Sequence, residues 1–226
     1  MINKIVQTMA DALAGARDGM TVLLGGFGAV GQPSVLVEAL IETGVRDLVV
    51  VANNAGGGKG GLAGLMEAGR VRKIICSFPR SANSTIFEEL YRAGRIELEI
   101  VPQGTMAERI RAAGAGVGAF FTPTGVGTKM AEGKEVRDIN GRTMILEHAL
   151  RGDFALVEAW QADRWGNLTY RRSGRNFNPV MAMAADTTIV QSQHIVDLGG
   201  LDPEHIVTPG IFVDRVVHVP YGDPPF

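Results

Sequence analysis

A chain of 226 residues that is 46% hydrophobic is long enough to close one substantial α/β core and too short for two of that size, so a single domain over 1–226 is expected. A formal charge of −2, with no lysine–arginine run, withholds the electrostatic footprint that nucleic acid requires. The longest apolar stretches, 21–30 and 114–121, are broken by glycine and fall short of a membrane span; Asp11 and Arg17 interrupt any leader-like segment, and a cytoplasmic location is expected.

Ile5, Met9, Leu13 and Ala16 fall at helical spacing behind Asn3, a suitable N-cap, and predict a first helix. Strand and helix then alternate: strand 20–25 with helix 33–43, strand 48–52 with helix 62–68, strand 72–77 with helix 84–93, and strand 96–101 with helix 105–113. This rhythm predicts an open, mostly parallel, Rossmann-like sheet with flanking helices. Gly44, Gly69, Gly94 and Gly114 each follow a helix, where left-handed backbone favours glycine. Residues 116–128, rich in glycine and threonine, predict a loop. Asn140-Gly141 between the segments 136–139 and 143–146 predicts a two-residue hairpin, and so an antiparallel or mixed portion in the second half. Further strands are expected at 154–160, 168–170, 187–190 and 213–219, with a short helix at 180–184 and a proline-rich surface tail at 220–226.

The richest segment for function runs from Asp18 to Pro33, an apolar strand passing through Gly25, Gly26, Phe27, Gly28 and Gly31 into a proline-started helix. Glycines there allow positive φ and close approach of a ligand, and the helix start offers unpaired amides to an anion. Gly26, Gly28 and Gly31 also spell a dinucleotide fingerprint, which needs an acid at the end of the next strand. That strand ends instead in Asn53 and Asn54, and Asp47 precedes it. A turn that merely packs helix on strand is the structural alternative.

Asn53, Asn54 and Gln103 follow the carboxyl ends of neighbouring predicted strands, where ligands bind in open α/β sheets. Side-chain amides can donate to a developing oxyanion without competing as nucleophiles, although asparagines also cap turns and glutamines cap helices. Arg80, past another strand end, is a candidate reader of a substrate carboxylate, against the ordinary reading of a solvated loop arginine. Arg171, Arg172 and Arg175 could bind carboxylate or phosphate, or form interface ion pairs. Glu108 and Arg109 read as an exposed helical ion pair. The histidines at 148, 194, 205 and 218 lack metal-ligand spacing, no metal is expected, and Cys76 reads as a buried inert thiol.

The pattern Asp-Gly, two residues, three apolar residues, Gly-Gly-Phe, three residues, Gly, one residue, Pro closely resembles the first subunit of the 3-oxoacid CoA-transferases. The resemblance continues through Asn53-Asn54-Ala55-Gly56, Pro102-Gln103-Gly104-Thr105, Ala107-Glu108-Arg109-Ile110, Gly152-Asp153-Phe154-Ala155 and Arg175-Asn176-Phe177-Asn178. It implies a CoA-transferase-like fold, coenzyme A thioesters as substrates and no tightly bound cofactor. Matching amides line the family's active site, which would make Asn53 and Gln103 the acyl-carbonyl donors and would set residues 25–28, Gly31 and Asn54 around the substrate; Arg80 joins them as a candidate from its position alone.

Family members use a glutamate nucleophile, carried in two-subunit enzymes by the second subunit within Ser-Glu-Asn-Gly, a motif these 226 residues lack. The resemblance therefore implies a partner, the second CoA-transferase subunit, in a heterodimer or heterotetramer with the active site between the two chains. Segments 76–80, 90–103 and 163–170 are most similar to the members of aromatic-compound degradation that use succinyl-CoA as donor and 3-oxoadipate as acceptor. Acetoacetate is the alternative 3-oxo acid; a dinucleotide-dependent oxidoreductase or a non-catalytic binding module is the alternative class.

Overall fold

A computed structural model describes residues 2–80 and 83–220. Its first half contains β1 (Ile5–Val6), α1 (Met9–Ala12), β2 (Thr21–Leu24), α2 (Ser34–Glu42), β3 (Leu48–Val51), α3 (Gly61–Glu67), β4 (Val71–Cys76), α4 (Ile86–Arg92), β5 (Glu97–Ile100) and α5 (Gln103–Gly114). The second half adds β6 (Ala119–Thr122), β7 (Val136–Ile139), β8 (Arg142–His148), β9 (Gly152–Ala162), β10 (Leu168–Thr169), α6 (Asn178–Ala182), β11 (Ala185–Ile195) and β12 (Arg215–His218).

Nine strands form one sheet in the order β1-β12-β11-β9-β2-β3-β4-β5, parallel throughout except for β10, which runs antiparallel on β9. The chain winds outward from β2 to β5, returns to the other side of β2 with β9, and winds outward again. The order thus reverses between β2 and β9, the place where open α/β sheets hold their ligands. Along β2 the alternation of side chains divides the core: Val22 and Leu24 join Leu36, Leu40, Leu62 and Leu65 of α2 and α3, while Leu23 joins Met106, Ile110 and Met181 of α5 and α6. A separate antiparallel sheet, β6-β8-β7, carries the Asn140-Gly141 hairpin, with φ of 54° and 73° as a type I′ turn requires.

Several expectations are corrected. The first predicted helix is a strand followed by one short helix. Asn3 Oδ1 accepts from Ile5 N at 3.1 Å, β1 pairs with β12, and Thr8 caps α1. Lys4 Nζ ties this edge down by donating to Gly210 O at 2.6 Å and Val213 O at 2.7 Å, tertiary bonds that helical periodicity cannot register. The predicted 116–128 loop contains β6, whose intrinsic pattern is weak and whose pairing with β8 supplies the order. Gly44, Gly69 and Gly94 do adopt positive φ, but Gly114 remains helical and Gly116 turns the chain. Gly114 lacks a side chain because a Cβ would lie 2.7 Å from Met183 Cβ. β9 and β11 each span 11 residues, longer than expected, because both lie inside the sheet. The tail from residue 221 lies outside the described residues.

Candidate active site

The loop after β2 leaves the sheet at the reversal point, where Gly25 N donates to Leu156 O of β9 at 2.9 Å. Phe27 and Val30 exchange backbone bonds of 2.9 and 3.2 Å, which closes a tight tip and leaves Phe27 52% exposed. The base of the loop is held by two asparagines from far along the chain. Asn176 Oδ1 accepts from Gly26 N at 3.1 Å and its Nδ2 donates to Val30 O at 3.0 Å, while Asn178 Nδ2 donates to Gly31 O at 2.9 Å. A Cβ at Gly25 would collide with Asn178 Oδ1, and one at Gly31 would lie 2.6 Å from Gly174 O. The missing side chains at those two positions make room for the protein's own atoms.

Two features of the packing bear on the binding-loop reading. Asn178, which is fully buried, occupies the space over Gly25. The amides at the start of α2 are not free for an anion, since Gln191 Oε1 of β11 accepts from Val35 N at 3.1 Å and Leu36 N at 3.2 Å. Gly28, by contrast, stands open with φ of 63°, and a Cβ there would lie 3.9 Å from Asn54 Nδ2.

One strand over, the amides converge. Gln103, the first residue of α5, donates from Nε2 to Asn53 Oδ1 at 2.7 Å, and Ser77 Oγ lies 3.0 Å from the same oxygen and 2.8 Å from Asn53 O. With Gln103 donating to Oδ1 and the single Ser77 hydroxyl hydrogen placed between Asn53 Oδ1 and O, the buried Asn53 amide is fixed in orientation, and its Nδ2 has no protein partner among the described residues. An oriented, unengaged N–H at a strand end is the element an oxyanion site needs. Asn54 is joined to Phe78 by a parallel bridge, and Phe78 is 61% exposed.

The expected site residues thus divide. Asn53 and Gln103 are in direct contact, and Asn54 and Gly28 adjoin at the loop tip. Arg80 has a side chain 76% exposed, with Nε 3.6 Å from Glu88 Oε1. Glu108 pairs with Arg111 at 2.9 Å rather than with Arg109, because helical neighbours at i,i+1 do not face each other. Arg109 instead reaches Glu99 of β5 at 3.0 Å and His148 O at 2.8 Å, fastening α5 to both sheets. Ser77, Asn176, Asn178 and Gln191 were not singled out individually from sequence. The Arg175–Asn178 run was a signal for two of them, but nothing local marks a glutamine 155 residues from the helix it caps.

Among the described residues, four titratable groups are displaced from their ordinary values. Burial raises the half-buried Glu158 carboxyl of β9, only partly opposed by the bond from Gln193 Nε2 at 2.8 Å. Its backbone N–H is held by Asn178 Oδ1 at 3.0 Å. Burial pushes the Cys76 thiol up to about 12, with a backbone bond from Phe78 working weakly against it. Burial likewise raises the Tyr170 phenol, against its 2.8 Å bond with Thr208 Oγ1 and the charge of Arg175. For Glu99 burial also pulls upward, but hydrogen bonds and charge from Lys73 and Arg109 outweigh it and hold the carboxyl low.

A parallel sheet whose order reverses at a glycine loop, with an oriented amide pair beside it, is the architecture of an open-sheet α/β protein with its ligand site at the reversal. The chain belongs to the coenzyme A transferase family, whose profile matches residues 6–219, and the substrates of that family are coenzyme A thioesters. It is similar to the first subunit of 3-oxoadipate CoA-transferase from Pseudomonas putida, at 61% identity over 97% of this chain and 95% of that one. The protein of the same description from Acinetobacter baylyi is 57% identical over 97% of this chain and 96% of its own. The crystal structure of glutaconate coenzyme A-transferase from Acidaminococcus fermentans shares the fold, with a TM-score of 0.86 at 23% identity over 98% of this chain and 77% of that one.

Proposed function

We propose that the chain is the first subunit of a two-subunit enzyme that moves coenzyme A from succinyl-CoA to 3-oxoadipate. Support for the acceptor comes from the 61% and 57% identities to the Pseudomonas putida and Acinetobacter baylyi proteins. Support for the chemistry comes from the Asn53 amide, locked by Gln103 and Ser77 with its Nδ2 unengaged. The lone buried thiol, Cys76, fits a reducing cytoplasm.

The steps are those the family resemblance implies, with the nucleophilic glutamate on the second subunit because this chain carries no Ser-Glu-Asn-Gly. The second subunit's glutamate carboxylate attacks the thioester carbonyl of succinyl-CoA; the C–S bond breaks, and an acyl-glutamyl anhydride and the CoA thiolate result. The thiolate attacks the glutamyl carbonyl, releasing succinate and leaving a glutamyl thioester. The acceptor carboxylate then attacks that thioester to form a second anhydride and the thiolate again. Attack of the thiolate on the acceptor's acyl carbon yields 3-oxoadipyl-CoA and the free carboxylate. Asn53 Nδ2, seconded by Gln103, donates to the oxyanion formed at each addition, and the loop tip at Phe27 and Gly28 with Asn54 bounds the acyl chain.

The test is transfer from succinyl-CoA to 3-oxoadipate and, separately, to acetoacetate, with this chain alone and co-expressed with its partner. Activity only in the pair, faster with 3-oxoadipate, is the expected result. Activity in the lone chain would return the nucleophile to these 226 residues, and a preference for acetoacetate would reassign the acceptor.

A further inference from the structure

Beside the glycine loop, at the carboxyl end of β9, an open cavity of about 500 Å³ is lined by Trp160, Tyr170, Arg171, Arg172, Arg175 and Glu204, among others. Among the described residues none of the three arginines is in an ion pair, and the guanidinium of Arg171 lies over the Trp160 ring at 4.6 Å. The three arginines are exposed and share the concavity with one acid, Glu204, so its rim presents net positive charge to an incoming anion.

The backbone adds an independent observation. Arg172 has φ of 51°, a left-handed conformation in which glycine would be unstrained. The turn is fixed there by Asn176 Nδ2 donating to Ser173 O at 2.8 Å and Asn178 Nδ2 donating to Gly174 O at 2.9 Å. These are the same two asparagines that hold the glycine loop, so whatever seats itself among the arginines is registered directly against residues 26–31. Aromatic and arginine side chains on one rim, with the exposed Phe27 in the clamped loop, are the composition of a protein interface core.

We propose that this cavity anchors the second subunit, which inserts a carboxylate-bearing segment among Arg171, Arg172 and Arg175. The inference rests on the two-subunit reading above. The anchor sets the register of the partner against the asparagine-clamped loop, and its attraction is electrostatic, so it weakens as salt rises.

The experiment uses the co-expressed complex, diluted at about 50 mM and about 300 mM sodium chloride and followed by mass photometry to obtain its dissociation constant. Arg172→Gly with Arg175→Ala removes two guanidinium groups while relieving the left-handed strain at 172, so the variant chain keeps its melting temperature. The expected result is a dissociation constant raised about 10-fold to 100-fold at low salt, with a flattened salt dependence. Arg95→Ala, an exposed arginine after α4, leaves both unchanged. A double variant with the wild-type constant and salt dependence would overturn the proposal. So would a loss confined to coenzyme A affinity, titrated calorimetrically on the intact complex, because the cavity would then hold a phosphate ligand. Failure of the wild-type chain to form any complex would overturn the two-subunit reading itself, an outcome separate from either.

Discussion

Gln103 and Asn53, 50 residues apart and on different strand ends, are joined by a 2.7 Å bond from one amide to the other. With its donor spent on Asn53 Oδ1, Gln103 fixes the Asn53 amide and leaves the Asn53 N–H₂ group as the end of the pair without a partner among the described residues; we propose that Gln103 is a positioning residue and that Asn53 touches substrate.

In the assembled enzyme, Asn53→Ala is expected to lower kcat by roughly 10-fold to 1,000-fold, as removal of an oxyanion donor does. Gln103→Ala lowers it less, and the double variant falls close to Asn53→Ala alone, since the two act as one unit. Steady-state kinetics of the three variants decide it. Losses that multiply would show Gln103 acting on substrate independently.

Asn178 fills the space over Gly25 and satisfies the backbone N–H of Glu158. Gly25→Ala destabilises the chain by about 1–3 kcal/mol through overpacking. Asn178→Ala costs about 1–3 kcal/mol for each buried group it orphans. In the double variant the new methyl enters the vacated volume, so the combined loss is smaller than the two single losses together. Chemical denaturation of all three measures that coupling, and strict additivity would deny the contact its importance.

Burial raises the Glu158 carboxyl in the folded chain above its unfolded value. The sign follows: the protonated form is favoured by folding, so the contribution to stability is present at low pH and is lost as pH rises through the folded value. Glu158→Gln keeps an acceptor for Gln193 Nε2 and cannot ionise. Relative to wild type, its melting temperature should gain at about pH 8 and show little gain at about pH 4.5. A gain that shrinks with rising pH would reverse the assignment.

With its thiol at about 12 and its side chain buried, Cys76 carries almost no thiolate near neutrality. Ellman's reagent at about pH 8 should react with it only after the chain is unfolded in guanidinium chloride. Rapid reaction of the native protein would mean that β4 opens locally, or that the site is wetter than its packing shows.

Local chemistry made much of this molecule readable. The strand-helix rhythm placed β2 through α5, Asn140-Gly141 set the hairpin, and strand-end amides pointed to the cluster in which Asn53 and Gln103 meet. What stayed hidden depends on partners distant in the chain. The helical spacing of Ile5 to Ala16 is real, but Lys4 and the pairing of β1 with β12 outweigh it. Gly25 and Gly31 look from sequence like openings for a ligand; their neighbours turn out to be asparagine side chains about 150 residues away, which no window of local sequence can see. Gln191 closes the α2 amides in the same long-range way.

The insertion of β9 between β2 and β11 also governs the order in which the chain can mature. While the polypeptide emerges from the ribosome, Thr21–Leu24 stands as a bare apolar edge until residues 152–162 arrive to pair with it. The glycine loop waits longer still, for Asn176 and Asn178. Its final shape is therefore acquired only after more than three-quarters of the 226 residues have been made, and truncated or stalled chains would present an unfinished loop next to an unprotected strand.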